Sequence, residues 1–368
     1  MFEHTYIGLD VHAQSIVACA INTQTGEVLR EKMATDPVAV RSWIQRFGTP
    51  VRAVYEAGPT GFGLARYLTD AGIDCVIAAP SKLLRAPGDR VKTDRRDAMA
   101  LARMLSLGEI VPVRVPSLEQ EALRDLSRAR ATAAKELAHS RQRINALLLR
   151  KGLHYPEKSH WTQAHIQWLT HQHFDQRPTQ LTLQADIELQ ILDLEHLKRL
   201  EHHIADLAPG CEYFPVINAL MCFRGIQLTT AFGLAVEIGD WTRFTGASIG
   251  AYLGLTPSEH SSGQSRSQGP ITKAGNTYAR RLLTEAAWLH LRPYTRPGVR
   301  LLRQFELVDT ATRHRAIEGN HRLHHQWERF EARGKRRTKA NTAIARELAG
   351  WCWSVAAPLQ NGANMNAA

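Results

Sequence analysis

The sequence predicts an α/β domain at its N-terminal end and a mostly α remainder, on three observations. Residues 5–33 fall into short apolar runs of strand length, broken by turn residues. Residues 34–116 then alternate helix-like and strand-like runs, the order of a β/α layer. Residues 117–151 and 183–207 instead carry apolar residues at 3-4 spacing over long spans, the pattern of amphipathic helices.

In chain order, the first strands are Tyr6–Asp10, Ser15–Ile21 and Glu27–Lys32. The last two are joined by Thr23-Gln24-Thr25-Gly26, where Gly26 supplies the positive φ of a tight hairpin. Asp36 caps the next helix, with Pro37 at its first position, and Gly48 ends it. Strand Val51–Glu56, helix Gly61–Ala71 and strand Cys75–Ala79 follow, and a last helix starts near Asp94. Three antiparallel strands followed by β/α alternation is the order of an RNase H-like domain, assigned to residues 1–116.

Ser117-Leu118-Glu119-Gln120 is a capping-box pattern opening the next region. Behind it, Leu123, Leu126, Ala133, Leu137, Ile144 and Leu147 form a stripe broken by Arg130 and Ser140. A second stripe runs through Leu183, Ile187, Leu194, Leu197 and Ile204. Residues 117–210 are therefore expected to form a coiled-coil hairpin or an oligomer seam. The joining segment 152–180, rich in His, Gln and Trp, is read as an irregular cap without ligand spacing for a metal.

From residue 211 to 368 a further, helical domain is expected. Phe223-Arg224-Gly225-Ile226 has the shape of a helix-hairpin-helix turn, in which Gly225 would let backbone N–H groups approach a phosphate. A packing turn gives the same pattern. Residues 257–276 read as a polar loop containing Ser261-Ser262-Gly263. Asn276 then caps a helix bearing Arg280 and Arg281, and the tail carries Arg336 and Arg337 ahead of a helix from 340 to 355.

Composition narrows the class. No apolar stretch is long enough for a membrane span, and no secretory signal is visible, so a cytoplasmic location is expected. The 5 cysteines are odd in number and include no Cys-x-x-Cys, favouring reduced thiols over disulfides or structural zinc. The net charge of +11 is uneven: residues 211–368 hold 20 basic and 11 acidic side chains, against 12 of each in 119–210. A cationic C-terminal part suggests a polyanion partner, with nucleic acid the natural candidate.

The four acids Asp10, Glu56, Asp94 and Asp97 speak most directly to chemistry. Asp10 and Glu56 end apolar runs, while Asp94 and Asp97 stand three apart on one face of a helix. Any one alone reads as a solvated cap. Together they can converge on a hard cation that takes oxygen ligands and clamps a phosphodiester.

These acids sit in blocks that resemble one family. The blocks are Tyr-Glu-Ala-Gly-Pro-Thr-Gly (55–61), Val-Lys-Thr-Asp-Arg-Arg-Asp (91–97), Gly-Leu-Thr-Pro-Ser-Glu-His-Ser-Ser-Gly (254–263) and Thr-Lys-Ala-Gly-Asn (272–276). They resemble the DEDD transposases of the "one-ten" insertion sequences, recombinases guided by a bridge RNA, over roughly residues 5–295. The resemblance implies a RuvC-like domain, a coiled-coil linker and a transposase domain with an essential serine. By position it implies Asp10, Glu56, Asp94 and Asp97 as ligands of Mg²⁺ or Mn²⁺, and Ser262 as the nucleophile, with Ser261 adjacent. It further implies donor and target DNA and a bridge RNA as partners. Because serine and acids lie on distant segments, the two domains must meet, within one chain or across a homo-dimer or tetramer. Arg266, Lys273, Arg280 and Arg281 stand near the serine as phosphate-holding candidates, though each also reads as a solvated charge. The alternative activity is a RuvC-like Holliday-junction nuclease using water as nucleophile, and a third is a non-catalytic nucleic-acid-binding module.

Overall fold

The computed structural model describes residues 5–48, 50–83, 94–262 and 265–366, without the side chains of 260–266 and 362–366. Its chain divides into two compact units, Met1–Ser117 and Leu118–Ala368.

The first unit runs β1 (Thr5–Val11), β2 (Ser15–Asn22), β3 (Val28–Ala34), α1 (Pro37–Gln45), β4 (Val51–Glu56), α2 (Gly63–Asp70), β5 (Asp74–Ala78) and α3 (Asp94–Ser106). Its strands make one sheet in the order β3-β2-β1-β4-β5. β1, β2 and β3 pair antiparallel, whereas β4 and β5 continue parallel to β1. Tight turns suffice for the first kind of pairing; the second needs crossovers, which α1 and α2 supply. Asp36 caps α1, its carboxylate accepting the N–H groups of Val38 at 3.0 Å and Ala39 at 3.3 Å.

The strand period of two sorts side chains onto the sheet's faces. Ile7, Leu9, Ile16, Ala18, Ala53 and Tyr55 are buried together with Val40, Trp43 and Ile44 of α1 and Leu68 of α2. The alternate positions Val17, Cys19 and Val54 pack with Ala98, Leu101, Met104 and Leu105 of α3. Gly8 belongs to that second face. A Cβ there would lie 2.0 Å from the Ala98 carbonyl oxygen and 2.6 Å from the Ala102 nitrogen. The absence of a side chain thus lets α3 rest on the backbone of β1.

The second unit contains α4 (Leu118–Arg150), α5 (Gln163–Thr170), α6 (Arg177–Leu207), α7 (Phe214–Leu220), α8 (Leu228–Ile238), α9 (Ser248–Tyr252), β6 (Pro257–Ser262), β7 (Ser265–Ile271), α10 (Thr277–Ala287), α11 (Val299–Glu306), α12 (Thr310–Ala332) and α13 (Arg337–Asn366). α4 and α6 run antiparallel, since Arg130 pairs with Glu201 and Arg143 with Asp186. Residues 152–180 are not irregular throughout. Leu169 of α5, with Trp161, Trp168 and Phe174, forms a small core with Ile144, Leu147, Leu183 and Ile187. His165 is buried there, its Nδ1 accepting the Trp161 N–H at 2.9 Å.

α8 is buried all round from Ala231 to Ile238 and forms the centre of the main core. Leu123 of α4 and Ile204 of α6 belong to that same core, so the coiled-coil-like helices and the C-terminal helices make one unit. Glu237 of α8 places a carboxylate inside it with 0% of the side chain exposed. Arg128 of α4 grips this carboxylate through Nε at 2.7 Å and Nη2 at 3.0 Å, and Asn276 Nδ2 donates at 2.6 Å. A buried charge needs such partners.

The polar stretch 257–276, expected as a loop, holds the two-stranded antiparallel ribbon of β6 and β7. Residues 267–270 of β7 are exposed, so burial imposes no apolar alternation to be read in sequence. Among the described residues no helix is long and apolar enough to cross a membrane.

Candidate active site

Strand parity explains how the acids come together. Asp10 shares a face of β1 with Gly8, and Glu56 shares a face of β4 with Val54; both faces lie toward α3. The parallel register pairs Leu9 with Tyr55, so Asp10 and Glu56 follow as the next residues on neighbouring strands. Both are at carboxyl ends of strands, where ligands bind in open α/β sheets. Asp94 and Asp97 stand in the first turn of α3.

One donor atom each from Asp10, His12 and Asp94 lies within 4.8 Å of the others. His12 Nε2 is 3.1 Å from Asp10 Oδ2 and 3.8 Å from Asp94 Oδ1. Glu56 and Asp97 are outside this close group, but the Asp97 charge still acts on Asp10. Burial pushes the Asp10 carboxyl above the usual carboxylate range. The His12 hydrogen bond and charge oppose that shift, while the charges of Asp94 and Asp97 add to it. The Asp10 side chain is 18% exposed, whereas those of His12 and Asp94 are 51% and 55% exposed. Anionic oxygens and an imidazole around one accessible point fit a divalent cation with coordination positions left for substrate.

His12 was not singled out by its sequence, although the signal was there: Asp10 and His12 are two apart at a strand end and share a face. The His12 N–H donates to the Ser15 carbonyl at 3.0 Å, closing the β1–β2 turn and fixing the residue beside the acids.

The serine block lies in the second unit. Ser262 ends β6, pairs with Ser265, and the preceding pair is Ser261 with Arg266. Gly263 and the side chains of Ser261, Ser262 and Arg266 lie outside the described residues. The root of the ribbon is tightly held. Gly275 has φ of 67°, and a Cβ on it would be 1.8 Å from the Tyr252 carbonyl oxygen. Arg280 Nη1 donates to the carbonyls of Leu253 at 2.9 Å and Ala274 at 2.8 Å, tying both ends of the root together. Asn276 caps α10 through the Ala279 N–H while its amide reaches Glu237.

A family model described as "Transposase" matches residues 7–152, and one described as "Transposase IS116/IS110/IS902 family" matches residues 217–299. The chain is 40% identical over 362 residues to the putative transposase y4qE of Sinorhizobium fredii, covering 96% of this chain and 89% of that one. It is 32% identical over 303 residues to the transposase for insertion sequence element IS1533 of Leptospira borgpetersenii, covering 80% of this chain and 88% of the relative. The chain belongs to the IS116/IS110/IS902 family of transposases. It is an insertion-sequence transposase, an enzyme that cuts and rejoins DNA.

The transposase employs its basic candidates in different ways. Arg280 is committed to the ribbon root, as above. Gly225 has φ of 84°, and a Cβ there would lie 2.2 Å from the Ala286 carbonyl oxygen. The neighbouring Arg224 N–H donates to Asn320 Oδ1 at 2.9 Å. This turn therefore approaches protein backbone, and its glycine serves helix packing. Lys273, exposed with φ of 55°, stands at the ribbon root. Arg281 lies over the Tyr278 ring at 5.2 Å and 3.7 Å from Glu285. Arg336 is exposed just before α13, and Arg337 opens that helix 3.3 Å from Glu331. α13 has no acidic residue in its first turn, so cations crowd the positive end of a helix dipole.

Proposed function

We propose that the first unit is a RuvC-like nuclease domain of RNase H type, and that this transposase joins DNA through a covalent serine intermediate. Asp10, Glu56, Asp94 and Asp97 hold Mg²⁺ or Mn²⁺, and Ser262 is the nucleophile. The observation that carries this reading is the convergence of Asp10 and Asp94 at the carboxyl end of β1, with Glu56 on the next strand. When bound, the cation polarises the scissile phosphate and stabilises the leaving oxygen. Ser262 Oγ forms a bond to phosphorus as one P–O bond of the DNA breaks. The serine gives up its proton and the leaving strand takes one up as a hydroxyl. Attack by another strand's hydroxyl reverses the step, so rejoining needs no ATP.

Arg266, Lys273 and Arg281 hold phosphates beside the serine, and Arg336 and Arg337 extend the cationic face. A bridge RNA, which pairs with donor and target DNA, follows from the resemblance and suits the positive C-terminal part. A homo-dimer or tetramer is supported by apolar residues left uncovered on α6, Leu181 at 54% and Leu192 at 60% exposure. The reaction takes place in the cytoplasm, with no membrane partner.

In Mg²⁺, Asp10→Ala and Asp97→Ala should abolish strand cleavage while leaving nucleic-acid binding intact; normal cleavage by both would refute the metal assignment. Ser262→Ala should lose the denaturant-resistant protein–DNA adduct. Mass spectrometry would locate the adduct, and a link at Ser261 would move the nucleophile by one residue. Full recombination by the Ala variant would refute the serine assignment. Sequencing RNA that co-purifies with the transposase tests the guide.

A further inference from the structure

We propose that His12 is a direct nitrogen ligand in the carboxylate site, and that it turns the site's preference from Mg²⁺ toward a first-row transition cation. This inference rests on the metal reading above and goes beyond it, because a four-carboxylate site supplies oxygen alone. The geometry points to the imidazole as a member of the set. Ligands about 2.1 Å from an octahedral cation are about 3.0 Å apart when adjacent and about 4.2 Å when opposite. The separations of 3.1 Å from His12 Nε2 to Asp10 and 3.8 Å to Asp94 fall across that range. The close group contains His12 and excludes Glu56 and Asp97.

The fold holds the His12 backbone in place. The β1–β2 turn is closed by the His12 N–H on Ser15, and the Thr35 hydroxyl donates to the His12 carbonyl at 3.1 Å. Backbone on both sides of the imidazole is therefore anchored, leaving the side chain to reach the acids. Mg²⁺ takes oxygen ligands and retains water, whereas first-row transition cations accept imidazole. An Asp-His-Asp group consequently gains more with Mn²⁺ than with Mg²⁺.

The test uses the full-length protein with Mn²⁺ as a paramagnetic probe and Mg²⁺ as competitor. Pulsed electron paramagnetic resonance of bound Mn²⁺ should show ¹⁴N modulation from a coordinated imidazole in the wild type. His12→Asn, which returns an oxygen donor, should lose that modulation and bind Mn²⁺ about tenfold more weakly with little change for Mg²⁺. Asp10→Asn should lose both metals, which separates the carboxylate reading from the role of His12. Mn²⁺ that binds in an Asp10-dependent way without ¹⁴N modulation would overturn the ligand assignment, leaving His12 as a hydrogen-bond partner of Asp10. An unchanged Mn²⁺ to Mg²⁺ affinity ratio in His12→Asn would overturn the selectivity. Metal binding indifferent to Asp10→Asn would overturn the carboxylate site, and the inference with it.

Discussion

The acid cluster and the serine ribbon are placed by different kinds of scaffold. Asp10 and Glu56 stand on adjacent central strands whose register is fixed by a buried face, and α3 brings Asp94 onto them across Gly8. Among the described residues β6 and β7 have only each other as strand partners, and order comes from a root clamped by Gly275, Arg280 and Asn276. A two-stranded ribbon is marginal alone, so its stability is borrowed from the helices beneath it. The acid cluster is held by its core, the ribbon by its root. Perturbing each scaffold should then have a different signature.

The largest effect is expected at Gly8. The methyl group of Gly8→Ala overlaps the backbone of α3, and a helix backbone cannot rotate out of the way as a side chain can. The variant should cost above about 3 kcal/mol in denaturant unfolding of the first unit. It should also lose divalent-cation binding, because Asp94 moves away from Asp10. A fully active Gly8→Ala would break the claim that the core sets the acid geometry.

Next comes the anchor beneath the ribbon. Arg128→Met leaves the Glu237 carboxylate buried with Asn276 as its remaining side-chain partner, a loss of about 3 kcal/mol. Hydrogen exchange should rise in α8 and α10 and leave the first unit unchanged. Faster exchange spread evenly over the whole chain would blur the distinction between the two scaffolds.

His290 in the second unit and Asp10 in the first should contribute oppositely to the pH dependence of stability. Burial and the charge of Arg224 lower the His290 pKa to about 3. Below its ordinary value of about 6.5 the unfolded chain takes a proton that the folded one refuses, so stability falls as pH drops toward 3. At pH 5 this amounts to about 2 kcal/mol, and His290→Leu should flatten that part of the curve. Asp10 has the other sign. Its raised pKa contributes stability at low pH that is lost as pH rises through the folded value. Unfolding of the wild type and of Asp10→Asn across acid pH, followed unit by unit, would check both slopes.

The smallest effect on stability is expected at the tail. Arg337 and Glu331 are an exposed pair, so Arg336→Glu with Arg337→Glu should change stability by less than about 1 kcal/mol. The same double variant should lower the slope of log affinity against log salt by about 2 for nucleic acid. An unchanged slope would remove these arginines from the phosphate-facing surface.

Much of the first unit was legible because its signals are local. Turn glycines, the Asp36 cap and strand-length apolar runs depend on residues a few positions apart, and they mark the elements in chain order. The ribbon at 257–271 was not legible as strands. With its exposed residues under no demand for burial, hydrophobic alternation never develops. α5 within 152–180 escaped for another reason: eight residues make only two turns, and its core comes from distant parts of α4 and α6.

Local patterns along the chain were enough for the secondary elements of the first unit, the places of four acids on strand ends and a helix, the cationic C-terminal part and the blocks that mark the family. Long-range packing was needed to bring His12 to Asp10 and Asp94, to set Gly8 and Gly225 against backbone, and to turn Arg280 and Arg128 onto other parts of the chain. Range separates the two. Propensity, capping and period act between near neighbours in the chain, whereas a hydrogen bond from Arg128 to Glu237 joins residues 109 apart. Such pairings are set by packing of the whole unit, and no local pattern records them.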